Sequence, residues 1–362
     1  MSARNKSDIC ARIYWSTRMI SLNRVILNPS MVGSKILITG ATGFAGSHLS
    51  DYLYKNYSKQ LILTRRYNSN LSNLFQLMNK KEITWDFLEI LDPNSTDNII
   101  KNHRPEFIFH FAANTWVSPS WDAPRSYFET NALGTVNLFE SIRKYSPKSK
   151  ILISCTPEEF GDVPIEKLPI NEETKLNPIN PYAASKVAQE MIALAWEASY
   201  RLNVVRTRVF NHEGPRRDTL GANASFAYQI AKIEAGLQLP VIKVGNLSAK
   251  RNFTSIYDIA EAYALAMEKG ICGELYLIGN ENTHTMRETL EILVKKSKVK
   301  SIKIEESPER VRLTELNNFV GDFSKFYQLT KWKPTKKIDT ILEEVLEYWR
   351  HQIIQGKYFI NS

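Results

Sequence analysis

A short apolar run, Ile36-Leu37-Ile38-Thr39, leads directly into Gly40-Ala41-Thr42-Gly43-Phe44-Ala45-Gly46, and residues 44–56 then read as a helix. A buried parallel strand is expected to be a near-continuous apolar run, and this one ends on glycine. The GxxGxxG spacing gives each glycine a task. Gly40 permits the tight turn, Gly43 lets the backbone approach a pyrophosphate, and Gly46 allows the helix to pack closely on the sheet. The N–H groups of the helix start then face the phosphates. A tight turn without a ligand would need only part of this, whereas the strand–glycine–helix context fits a dinucleotide. Gly40, Thr42, Gly43, Phe44, Ala45 and Gly46 are therefore the expected cofactor contacts.

The alternation continues downstream. Strands are expected at Leu61–Thr64, Ile83–Leu88, Phe107–Phe111, Ile151–Cys155 and Val204–Arg208. Helices are expected at Pro124–Tyr145 and at Pro181–Tyr200, the latter with proline at its first position. This order predicts an α/β chain with a Rossmann doubly wound parallel sheet. After Arg208 the pattern loosens. Residues 210–223 are rich in Gly, Pro, Asn and charge and read as a binding loop. A helix from Ala224 to Ala235, a strand at Val241–Val244 and a last helix carrying Ile338, Ile341, Leu342, Val345, Leu346 and Trp349 predict a smaller α+β C-terminal substrate domain. The expected division is 34–208 plus about 254–282 for the dinucleotide domain, with 209–253 and 283–362 for the second. Residues 1–33 hold one acid, Asp8, and read as a loosely ordered tail. The Arg- and Ser-rich start also resembles an organellar presequence, and translation from Met31 is a further reading.

Composition removes several classes of function. The 362 residues include 47 Lys and Arg against 38 Asp and Glu, a net charge of +9, with 43% hydrophobic residues, which excludes disorder over most of the length. The basic residues are spread out, with no Lys/Arg block carrying interleaved aromatics. They suit an anionic small substrate better than a nucleic acid. Cys10, Cys155 and Cys272 form no CxxC pair, so neither a metal site nor a disulfide framework is expected. No run approaches the roughly 18 apolar residues of a membrane span. A cytoplasmic protein without membrane contact is the expectation.

Two further constellations carry chemistry. An NAD site usually places an acid at the end of the second strand for the ribose hydroxyls, but here Thr64 is followed by Arg65 and Arg66. Two guanidiniums suit a 2′-phosphate, which favours NADP over NAD, although a solvated turn would read the same way. Tyr182 and Lys186 lie four residues apart at a helix start and so share a face. A nearby ammonium would lower the phenol and make Tyr182 a base nearer neutrality. At the end of the fifth strand, Thr156 offers a hydroxyl that both donates and accepts, and Glu158 a carboxylate able to exchange protons. Taken alone, these two also fit a strand-end cap and a solvated loop acid.

Together these motifs resemble the extended short-chain dehydrogenase/reductase family of nucleotide-sugar enzymes, over about Lys35 to Trp349. The carriers are TGATGFAG at 39–46, FHFAANTWVSPSW at 109–121, the Thr156/Glu158 segment, YAASK at 182–186, FNHEGPRR at 210–217, VGNLSAKRNF at 244–253 and RLTELNNFVGD at 312–322. The branch it most resembles holds the GDP-mannose 4,6-dehydratases and the GDP-4-keto-6-deoxymannose reductases. Glu213, Arg216 and Arg217 lean toward the dehydratases, as does the Arg65–Asn73 loop, whereas residues 121–137 and 252–254 lean toward the reductases. Pro157, Phe160, Leu313 and Glu89 depart from the family pattern.

The resemblance implies roles residue by residue. Tyr182 takes the proton of the C4 hydroxyl, Thr156 bonds the C4 oxygen, Glu158 serves the loss of water, and Lys186 tunes Tyr182 and holds the nicotinamide ribose. Glu89 and Ala112 join the cofactor contacts. Ser120, Asn211, Arg216, Arg217, Arg251, Arg312 and Glu315 are the implied substrate contacts, toward a nucleotide-diphosphate sugar, GDP-linked. The implied activity is a GDP-sugar 4,6-dehydratase. An NADPH-dependent 4-keto-sugar reductase and an epimerase are the alternatives, and a homodimer or homotetramer is the implied assembly.

Overall fold

The computed structural model describes residues 30–310 and 319–356. The central element is a seven-stranded sheet. In chain order it opens with β1 (Ile36–Thr39), α1 (Phe44–Asn56), β2 (Leu61–Arg65), β3 (Thr84–Phe87), α2 (Pro93–His103) and β4 (Phe107–His110). It continues through α3 (Val117–Asp122), α4 (Pro124–Phe128), α5 (Gly134–Tyr145), β5 (Lys150–Cys155), α6 (Pro181–Tyr200) and β6 (Asn203–Val209). The strand order is β11-β6-β5-β4-β1-β2-β3, and all pairs are parallel. β1, β4 and β5 are buried almost throughout, as their apolar runs predict, whereas β3 at one edge reads Thr-Trp-Asp-Phe and stays largely accessible. The order reverses between β1 and β4. A crevice opens there beyond the carboxyl ends of the strands, the place where doubly wound sheets bind ligands.

The seventh strand, β11 (Leu275–Ile278), lies between Gly273 and Gly279 and is not among the expected strands. It pairs with β6, Leu275 opposite Arg206, after the crossover helix α8 (Ile256–Lys269). The single helix expected over 124–145 is three pieces. A π turn at Glu129–Leu133 separates α4 from α5. It carries the buried Asn131, whose Nδ2 donates to Ser185 Oγ at 2.8 Å and to Asn114 O at 3.0 Å. That one-residue expansion turns a polar side chain onto α6, which apolar spacing cannot announce. Packing also begins ahead of residue 34, because Met31 is fully buried in the core beside β1.

Beyond β6 the chain forms β7 (His212–Glu213), α7 (Ala222–Glu234), β8 (Val241–Val244), β9 (Lys250–Asn252) and β10 (Thr254–Ser255). After β11 come β12 (Thr283–Thr285), α9 (Met286–Lys295), β13 (Lys303–Glu306), α10 (Ser324–Thr330) and α11 (Ile338–Ile354). β7 pairs with β10, β9 with β12, and β8 with β13. α7, α9 and α11 share an apolar core of their own, including Ile230, Leu290, Leu342, Val345 and Trp349. Among the described residues, no helix is long and apolar enough to cross a membrane.

Candidate active site

A cavity of about 860 Å³ lies over the carboxyl ends of β1, β4 and β5, and extends to the loop after β6 and the start of α7. Its floor is the glycine turn. Gly40 has φ +68°, and a Cβ there would lie 2.7 Å from the backbone of Phe111. A Cβ on Gly46 would lie 2.3 Å from Gly40 O. Both positions therefore exclude side chains. α1 begins at Gly43 with no side-chain cap, which leaves first-turn N–H groups for an anion. The neighbouring strand ends are fixed by Thr39. Its Oγ1 bonds His110 Nδ1 at 2.8 Å and accepts from Phe111 N and Ala112 N, each at 3.1 Å. Burial drops His110 to about 3, so this ring stays neutral.

The opposite side of the floor carries Thr156, Glu158, Tyr182 and Lys186 together. Asn180 explains how two separate elements meet here. Its Oδ1 accepts from Ala183 N at 2.8 Å and so caps α6, while its Nδ2 donates to Glu158 Oε2 at 3.1 Å. One side chain thus ties the Glu158 turn to the helix of Tyr182. The Thr156 hydroxyl accepts from Glu158 N at 3.3 Å and lies on the same cavity wall as the Tyr182 phenol. The phenol is pushed up, first by burial; the Thr156 hydroxyl and the Arg217 charge pull it back, while Glu158 and Glu159 oppose them. The lowering expected from Lys186 is not the governing effect. The Lys186 ammonium is turned to Ser154 O at 2.5 Å and to Gln189 Oε1, and burial lowers its own pKa.

The third side is the loop after β6. Asn211, Arg216, Arg217 and Arg251 all border the cavity. Arg216, at φ +71°, pairs with Asp51 of α1 at 2.7 Å, which clips the loop to the nucleotide helix. The Arg217 guanidinium lies 5.1 Å from the Phe44 ring and 4.9 Å from the Trp116 ring, between the glycine turn and the β4 loop. Arg251 is stacked on Phe319 at 5.0 Å. Ser120 does not border the cavity; it is fully buried and donates to Val117 O at 2.6 Å within its own helix. Arg65 lies over the Phe87 ring at 4.2 Å, at the edge of the sheet. Thr42, Arg66, Glu89 and Ala112 also stand outside the cavity lining. Arg312 and Glu315 lie outside the described residues.

Several residues at the site gave no sequence signal. Asn223 is fully buried at the start of α7, borders the cavity, and has neither amide atom hydrogen-bonded. Asn211 Oδ1, Glu213 Oε2, Asn252 Oδ1 and Thr254 Oγ1 are likewise buried without a partner. Arg310 borders the cavity and donates to Ser225 Oγ at 2.9 Å. Behind the floor, donor atoms of Cys155, Glu159 and Glu190 lie within 4.8 Å of one another. Arg208 already holds these carboxylates with three bonds of 2.9–3.1 Å, so a cation there would have to displace a guanidinium beside the Lys186 ammonium.

Comparison with known proteins agrees with this geometry. The family model described as GDP-mannose 4,6 dehydratase matches residues 37–345. A GDP-6-deoxy-D-mannose reductase of Pseudomonas aeruginosa is 28% identical over 88% of this chain and 98% of its own length. GDP-mannose 4,6 dehydratase 1 of Arabidopsis thaliana is 26% identical over 92% of this chain and 94% of its own. The solved structure of RMD from Pseudomonas aeruginosa, in complex with NADPH, superposes with a TM-score of 0.75 at 27% identity, covering 88% of this chain and 99% of that one. A glycine turn at the sheet's reversal point, a Tyr–Lys pair beside it and a family model spanning nearly all the described chain lead to one assignment: the chain belongs to the extended short-chain dehydrogenase/reductase family of nucleotide-sugar enzymes, in the group of the GDP-mannose 4,6 dehydratase model.

Proposed function

We propose that the protein is a GDP-sugar 4,6-dehydratase that works with NADP and converts a GDP-mannose-like substrate to a GDP-4-keto-6-deoxy sugar and water. The observation that carries this reading is Glu158, a carboxylate on the cavity wall tied through Asn180 to the helix of Tyr182. Simple reduction of a 4-ketone needs one proton donor, which Tyr182 supplies. Loss of water needs a second group, to take the C5 proton and give one to the C6 oxygen, and a carboxylate suits both steps.

The glycine cradle fits a dinucleotide, since side chains at Gly40 or Gly46 would fill it. Arg65 and Arg66 suit the 2′-phosphate of NADP, and the relative solved with NADPH supports that choice. NADP held there would supply the acceptor and donor for the sugar hydride. Tyr182 removes the C4 hydroxyl proton, with Thr156 holding the same oxygen. Lys186, anchored on Ser154 and Gln189, would orient the nicotinamide ribose. Glu158 then takes the C5 proton, acidified by the adjacent ketone, and protonates the departing C6 hydroxyl. Arg251 supplies charge for the substrate diphosphate, and Arg217 for phosphate beside the glycine turn. Arg312 and Glu315 belong to the nucleotide contacts by resemblance. The same reading keeps 34–208 with about 254–282 as the dinucleotide domain, and a homo-oligomer in the cytoplasm.

Glu158→Gln tests it. C4 oxidation should continue, leaving reduced cofactor visible by absorbance, while water loss falls by about 10²-fold. Formation of the 6-deoxy-4-keto product at the wild-type rate would remove Glu158 from the mechanism. The similarity to the Pseudomonas aeruginosa reductase favours a second reading, reduction of a 4-keto sugar. Stoichiometric NADPH consumption by the wild-type protein, with no release of water from any nucleotide sugar, would put that reading in place of the first.

A further inference from the structure

Glu159 lies in a loop sequence, Pro-Glu-Glu-Phe, where an acid is expected to face water, yet its side chain is fully buried. Its two oxygens do different things. Oε1 accepts from Thr156 N at 3.0 Å, and Oε2 accepts from Arg208 Nε at 3.1 Å. Arg208 is itself held by Glu190, through Nε at 2.9 Å and Nη2 at 2.9 Å, and its guanidinium packs on Phe160 at 4.7 Å. Glu190 is steadied in turn by Arg206, at 2.5 Å, and Arg206 by Gly273 O at 2.9 Å. A chain of bonds therefore runs from β6 through Arg208 and Glu159 to the backbone of Thr156, whose hydroxyl shares the cavity wall with Tyr182.

We propose that Glu159 is a positioning residue, which holds Thr156 against Tyr182 from behind the cavity wall. This rests on the reading of Tyr182 and Thr156 as the groups at C4. Stability alone does not account for the arrangement. Buried carboxylate–guanidinium sets often contribute no net stability relative to apolar residues of similar size, because desolvation offsets the attraction. What they supply is direction. Glu159 fixes the N–H of Thr156, the residue that carries the hydroxyl, and the buried Arg208 holds the other carboxylate oxygen.

Burial, then the Glu190 charge, push the Glu159 carboxyl up, while Arg208 pulls it back. Burial also pushes Glu190 up, but Arg208 and Arg206 outweigh it and pull its carboxyl down. A glutamine keeps an oxygen to accept from Thr156 N, and an apolar side chain has none.

The experiment compares Glu159→Gln with Glu159→Val in the full chain. Dinucleotide affinity reports folding, and Glu159→Met, which fills the volume without an acceptor, replaces valine if that variant does not fold. In the apolar variant kcat should fall about 10-fold or more while KM for the nucleotide sugar stays within about 2-fold, and Glu159→Gln should restore kcat to within about 3-fold of wild type. An apolar variant with wild-type kcat, or a glutamine variant as slow as the apolar one, overturns the proposal. Wild-type protein inert toward every nucleotide sugar would instead defeat the functional reading. Exchange of the Thr156 amide then decides the proposal by itself. It should be protected in wild type and Glu159→Gln, and about 10-fold faster in the apolar variant; equal exchange in all three overturns it.

Discussion

The floor and the far wall of the cavity are built on opposite principles. On the floor, the ends of β1 and β4 are hydrogen-bonded to one another and the glycine turn is closed to side chains. Thr39 alone satisfies two backbone N–H groups and a histidine, and no side chain fits at Gly40 or Gly46. On the far wall, Asn211, Glu213 and Asn223 all carry buried polar atoms without partners. Each such atom costs about 1–3 kcal/mol of desolvation that folding alone does not return. The floor is thus shaped by sterics, with the first-turn N–H groups of α1 left for an anion. The far wall presents buried polar atoms with no partner among the described residues, which suits a ligand that brings donors and acceptors.

If that contrast is right, the largest effect comes from adding a single methyl group to the floor. In Gly46→Ala, the new Cβ meets backbone at 2.3 Å, where no flexible side chain can yield. Stability should fall by about 3 kcal/mol in thermal or urea unfolding, and dinucleotide binding should be lost. Retention of wild-type dinucleotide affinity would mean the floor is not sterically set. A smaller effect is expected at the rim, where Arg65 packs on Phe87. Arg65→Asp should weaken NADP binding about 10-fold more than NAD binding, because a charged hydrogen-bond partner is replaced by a repelling charge. Equal weakening of both, read by calorimetry, would detach Arg65 from the 2′-phosphate. The smallest effect belongs to the far wall. Asn223→Ala removes two unsatisfied buried groups. The ligand-free protein should therefore be unchanged or up to about 1 kcal/mol more stable, while nucleotide-sugar affinity drops about 5-fold. A clear loss of ligand-free stability would show that Asn223 is a structural group, and the contrast between the two walls would fail there.

The two walls were also unequally legible in the sequence. α1 and α6 fall at the expected residues, 44–56 and 181–200, because glycine, an N-cap asparagine and a first-position proline are local signals. The break at 129–133 was not legible, since a π turn answers to a contact between Asn131 and Ser185, 54 residues apart. Tyr182 and Lys186 share a helix, so their spacing could be read, but the destination of the ammonium could not. Ser154 and Gln189 reach it first, and burial rather than Lys186 governs the phenol. Glu159 shows the same limit more sharply. The Thr156-x-x-Glu159 spacing of a capping box is a local signal for the bond to Thr156 N, but the burial of Glu159 against Arg208 is not local.

The sequence by itself determined the nucleotide turn, the parallel α/β order and the set of residue types that meet in the cavity. These follow from backbone freedom at glycine, from apolar runs and from helix-end chemistry, all of which act within a few residues. Only the tertiary structure decided which polar groups are desolvated and what they face: Arg208 between Glu159 and Glu190, Arg216 on Asp51, and Asn223 without a partner. The physical reason is that desolvation and charge pairing depend on distances through space, and packing the β6 region against α1, α6 and the Thr156 turn sets those distances across tens to more than a hundred residues of chain.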